Sequence, residues 1–191
     1  MSYFEKVKVQ GYNGTNWHPA EIDSMTRAIN TISHAHHEIH EGSHFKADRQ
    51  DIALSTTDTI ELLLTTPDTT KWVHFLLTMQ STGEVVVELY EGTTVSAEGT
   101  AITPINRNRN SATKSVVVVT HTPTITSDGT KLTENWIGTT GFKEDIGDTL
   151  RDNSEIILKQ NTKYLIRLTA VGDGIKGAIG GDWYEHQSQT T

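Results

Sequence analysis

Trp72-Val-His-Phe-Leu-Leu-Thr-Met79 and Val85-Val-Val-Glu-Leu-Tyr90, joined through Ser81-Thr-Gly-Glu84, decide the fold class of this chain. Both runs are rich in the β-branched and aromatic side chains that suit a pleated, half-buried surface. The short glycine-containing link between them predicts a β-hairpin. On either side the same signature returns. Ile60-Glu-Leu-Leu-Leu-Thr65 is a compact apolar run stopped by the turn formers Pro67 and Asp68. Ser115 to Thr122 carries four consecutive valines, a pattern for a strand buried on both faces. Glu155 to Leu158, the turn Gln160-Asn-Thr162, Tyr164 to Val171 and a last strand ending at Trp183-Tyr184 return the chain to sheet.

Threonine fills 30 of the 191 positions, and it is poor in helices but fits a strand. The expected fold is therefore mainly β, an antiparallel β-sandwich, jelly-roll-like, of about eight strands. Two stretches fall outside this pattern. Gly92 to Ala112 reads as a long ordered loop, and Pro123 to Asp152, with four glycines, as a stretch without regular structure.

The N-terminal part reads differently. Phe4 to Gln10 suits a short strand, and Gly11 to Gly14 a turn. Pro19 is placed to open a helix whose apolar stripe is Ile22, Met25, Ile29 and Ile32. Residues 1–33 are thus expected to form a strand and one short helix, a docking or oligomerisation arm in which Ile22, Met25 and Ile29 are candidate interface residues. Residues 34–191 are the expected sandwich domain.

Composition excludes several function classes. With no cysteine there is no disulfide scaffold, thiol nucleophile or thiolate metal site. A net charge of −8 argues against a nucleic-acid partner, because phosphate binding needs a concentrated Lys/Arg surface. No run approaches the 18 apolar residues of a membrane span and the first residues lack a secretory pattern, so folding in a cytoplasm and no membrane partner are expected.

Five of the nine histidines fall in His34-Ala-His-His-Glu-Ile-His-Glu-Gly-Ser-His44. A zincin needs His-Glu-x-x-His on a helix, and here His37-Glu38-Ile39-His40 is one residue short. Gly42 and the downstream pattern favour extended chain. His36, His40 and His44 are the candidate ligands if a metal is held, but they match no specific spacing. Cross-strand hydrogen bonding or stacking at a subunit contact is the preferred reading, with pH response as a further option. Arg107 and Arg109, set in Asn106-Arg-Asn-Arg-Asn-Ser111, read as a loop anchor or an inter-subunit salt bridge rather than an anion site. No nucleophile elbow, P-loop or dinucleotide fingerprint is present. The four tryptophans read as core or interface residues. Neither an enzyme nor a cofactor is expected.

Three segments together carry a resemblance: His37-Glu-Ile-His-Glu-Gly42 leading to Phe45; Thr66-Pro67 and Trp72-Val-His-Phe75 through Leu89-Tyr-Glu-Gly92, Gly99-Thr-Ala101 and Asn106 to Ser111; and Glu155 to Tyr164 with Trp183-Tyr-Glu-His186. In these the chain resembles small tailed-bacteriophage virion proteins of β-sandwich type. The resemblance implies a head decoration or cement role, no catalytic residues, and location in a virion assembled in a bacterial host. It implies as partners the major capsid protein and further copies of the chain, a trimer being favoured. A tail or baseplate adsorption module binding glycans is the rival expectation.

Overall fold

The computed structural model describes residues 10–12, 17–19, 34–138 and 155–187. The chain groups into two compact units, residues 1–37 and 38–191. In the first, β1 (Gln10–Tyr12) pairs antiparallel with β2 (Trp17–Pro19), Gln10 opposite Pro19. Pro19 is thus a strand residue, as are Gly11 and Tyr12, which were expected in a turn. The helix expected over Ile22 to Ile32, with candidate interface residues Ile22, Met25 and Ile29, lies outside the described residues, as does most of the strand expected from Phe4.

One described helix exists, and it stands where extended chain was expected: α1, His34–Glu41. Its end explains the difference. Gly42 takes φ +77°, its N–H donates to Ile39 O at 3.1 Å, and Ser43 N donates to Glu38 O at 3.0 Å. These are the paired bonds of a Schellman cap, which needs glycine at the left-handed position just past a helix. Gly42 is a helix stop, not a strand marker.

The remaining strands, thirteen of the fifteen described, are antiparallel and belong to the second unit. They are β3 (His44–Leu54), β4 (Thr59–Thr65), β5 (Lys71–Ser81), β6 (Val85–Glu91), β7 (Thr94–Ala97), β8 (Thr100–Ile102), β9 (Ile105–Asn106), β10 (Val118–His121), β11 (Thr124–Ser127), β12 (Thr130–Ile137), β13 (Ile156–Leu158), β14 (Lys163–Ala170) and β15 (Ile175–Gln187). One sheet has the order β12-β6-β14-β4-β10-β8 and the other β13-β5-β15-β3-β9. Between them lies one core, with Phe45, Phe75 and Trp183 from the five-stranded sheet and Leu62, Leu64, Val87, Ile166 and Leu168 from the six-stranded one, all at most 2 % exposed. This is a β-sandwich, two sheets buried face to face.

The pairing is nested. β3 pairs with β15, β4 with β14, β5 with β13 and β6 with β12, so the chain's first half meets its second half in reverse order. Each step along β3, β4, β5 and β6 changes sheet. The expected hairpin between β5 and β6 is therefore absent: both strands form, but Ser81 to Glu84 arches from one sheet to the other. Both strands carry inward apolar faces, and a short link serves an arch as well as a hairpin. Val73 and Phe75 are buried from one side of the core and Val85, Val87 and Leu89 from the other.

Both stretches expected to lack regular structure contain strands. β7, β8 and β9 lie within Gly92 to Ala112, and β11 and β12 within Pro123 to Asp152. β7 and β11 pair as a separate ribbon whose Val95 and Ile125 pack on Leu63, Tyr90 and Leu165, on the outer side of the six-stranded sheet. These short strands carry threonine where longer ones carry valine, so apolar periodicity misses them. The strand expected over Ser115 to Thr122 shortens to β10, because Glu185 draws the chain before it aside. Ser115 Oγ donates to the Glu185 carboxylate at 2.6 Å and Val116 N at 3.1 Å. Glu185 is itself 1 % exposed and also accepts from Trp183 Nε1 at 3.0 Å.

Candidate functional site

Strand alternation sends Phe45, Trp183 and Phe75 into the core, and so puts His44, Tyr184 and His74 on the outer face of the five-stranded sheet. Tyr184 stands directly opposite His44 on β3 and His74 on β5, making one transverse row across three strands. His74 stacks on Tyr184 with ring centres 4.5 Å apart and planes 13° apart, and His44 meets the same ring edge-on at 6.0 Å. His186, two residues along β15 on the same face, lies 4.5 Å from the His74 ring.

Carboxylates hold this row at both ends. Glu155 Oε1 accepts from His74 Nδ1 at 2.6 Å and from the Tyr184 hydroxyl at 2.8 Å. Asp182 pairs with His44 Nε2 and accepts from Arg107 Nη1 at 3.1 Å. Arg107 is positioned because its backbone N–H donates to His44 O at 2.8 Å, extending the β3–β9 pairing.

The Asn/Arg loop that delivers Arg107 is a staircase of local turns. Asn106 Oδ1 accepts from Asn108 N at 2.8 Å, and Asn108 Oδ1 from Asn110 N at 3.1 Å. Buried Asn106 also donates Nδ2 to Gly42 O at 2.7 Å and to Thr113 O at 3.0 Å, and Asn108 Nδ2 donates to His40 O at 2.9 Å. The helix cap is thus tied to the loop. Arg109 donates to Asn106 O at 3.4 Å, within the loop. Within the chain, Arg107 makes an ion pair with Asp182.

The candidate metal ligands part company. His36 and His40 are exposed on α1, whereas His44 is fully buried against Asp182. Among the described residues no group of three or more His, Asp or Glu is placed to hold a metal ion. Sequence reading missed His74, His186, Glu155 and Asp182. No local spacing links them, and only the strand register does. The sole available signal was alternation: His74 and Tyr184 each flank a core aromatic by one residue.

Chemically the row holds two imidazole–carboxylate pairs, with His44 fully buried and His74 stacked on Tyr184. The arrangement ties β3, β5, β15, Glu155 and the Asn/Arg loop together at one end of the sheet. Glu38 and the residues from His40 to His44, the stretch Asn106 to Arg109, and Glu155 with Asp182 to His186 all meet there.

Toward the other end of the sheet, the same outer face opens into a trough of about 320 Å³. Comparison with family models, with curated proteins and with solved structures finds no match for this chain. What the coordinates define is a class by architecture: an antiparallel β-sandwich with nested strand pairing.

Proposed function

We propose that this chain is a structural virion protein of a tailed bacteriophage, a decoration or cement protein that binds the major capsid protein and further copies of itself on the head. The observation carrying the reading is the convergence just described. The three segments in which the chain resembles small phage virion proteins are distant in sequence, and each contributes to the one junction around Asp182 and Tyr184. The nested pairing of β3 to β6 with β12 to β15 also supports it, since a jelly roll, an architecture that recurs in viral capsid domains, would be wired in this way. On this reading the junction is a stiffening element, with the capsid and the other copies as partners.

Copy number tests the reading. Quantitative mass spectrometry of purified virions encoding this chain gives tens to hundreds of copies per particle if it decorates the head. A few copies per particle would refute head decoration and favour the tail or baseplate alternative. Self-association is checked by light scattering of the purified chain, where three times the mass of the chain is the expected result.

A further inference from the structure

The trough lies on β15, where the outward positions are Ala178, Gly180 and Asp182. Its walls are longer. Gln50 and Gln80 stand opposite Ala178, Asp48 and Thr78 opposite Gly180, and Lys46 opposite Asp182. At Gly180 the two walls close in, because a Cβ there would come within 2.6 Å of Ala47 O and 2.9 Å of Thr78 Oγ1, so only glycine fits between them.

We propose that this trough binds a neutral oligosaccharide laid along β15. Three observations select that chemistry. The walls are polar, so an apolar ligand would strand their amides and hydroxyl without partners. The charges are balanced locally, Lys46 lying 3.7 Å from Asp48 and Asp182 pairing with Arg107, so neither an anion nor a cation is favoured. Two glutamines and a threonine each offer donor and acceptor atoms together, the complement of sugar hydroxyls that are donor and acceptor at once.

The volume of about 320 Å³ falls at the lower end of small-ligand clefts, enough for a short part of a glycan. Beyond Asp182 the same face is closed by Arg107 and by the buried Tyr184, so the trough ends at Asp182. The inference is independent of head or tail placement, because it rests on the outer face of one sheet.

The test uses the full chain on a printed array of neutral glucan, galactan and N-acetylglucosamine oligosaccharides, followed by calorimetric titration of the ligands that bind. At least one neutral oligosaccharide is expected to bind. The Gln50→Ala/Gln80→Ala double variant weakens it by about tenfold or more, as expected for two lost hydrogen-bonding groups. Trp136→Ala, at the exposed edge of the other sheet, leaves binding unchanged. Both variants substitute exposed side chains, and unchanged thermal unfolding confirms that they are folded. The proposal is overturned if no neutral oligosaccharide binds, if only charged glycans bind, or if the double variant binds as well as the parent.

Discussion

Around the guanidinium of Arg167 two carboxylates and an aromatic ring converge. Nε donates to Glu61 at 2.8 Å, Nη1 and Nη2 donate to Asp128 at 3.0 and 2.7 Å, and the group sits 5.6 Å from the centre of the Tyr90 ring. Asp128 follows β11, so the pair clamps the small ribbon onto the large sheet. The Arg167 hydrogen bond holds the Asp128 carboxyl below its ordinary value, and the bond from Lys159 does the same for Glu91. A depressed carboxylate pKa stabilises the fold at pH above the unfolded value, about 4, and that contribution is lost as pH falls through the lower folded value. Acid titration followed by methyl NMR is therefore expected to show Val95 and Ile125 losing their packing below about pH 4. Asp128→Asn should remove part of that pH dependence. At neutral pH, Arg167→Met leaves Glu61 and Asp128 unpaired and should lower the unfolding free energy by about 2–3 kcal/mol in urea titration.

At the scale of elements, the ribbon of β7 and β11 is held by few apolar contacts, Val95 and Ile125 on Leu63, Tyr90 and Leu165. Val95→Asp/Ile125→Asp should release it: amides of both strands would exchange with solvent faster, while those of β14 and β15 keep their protection. Equal loss of protection throughout would show that the ribbon and the sandwich unfold as one. Such elements mark the limit of what sequence patterns reveal. The long strands were legible because Leu62, Leu64, Val87, Ile166 and Leu168 must be buried, and burial imposes apolar residues. Which strand each would meet was not legible, since an arch and a hairpin make the same local demand on residues 81–84. Helix α1 was misread because its histidines and glutamates carry no apolar stripe, and the cap at Gly42 was the one usable signal. At the junction only the Asn/Arg loop was legible, as a run of turn residues. His44, His74 and Tyr184 become neighbours through register alone, which no short spacing encodes.

For the molecule as a whole, nested pairing makes nearly every sheet contact long in sequence. Proteins dominated by such pairings fold in milliseconds to seconds or slower, and this domain is expected at the slow end in stopped-flow refolding. Its stability also hangs on β15. β15 lies between β3 and β5, in register with both, and carries Trp183 into the core. A chain ending at Gly174 should lack a cooperative thermal transition in calorimetry. If it melts as the parent does, β15 is dispensable and the nested scheme does not govern stability.

The central position of β15 also sets a timetable. Phe45 leaves the ribosome long before its neighbour Trp183 exists, a gap of roughly 7 to 30 s at about 5–20 residues per second. Throughout that interval the inner faces of β3, β4 and β5 have no complete partner sheet, and every unfinished chain is a sticky one. Newly made protein therefore depends on chaperone shelter or on dilution until β15 arrives. Slowing translation between β12 and β15 should lower the soluble yield without altering the finished protein.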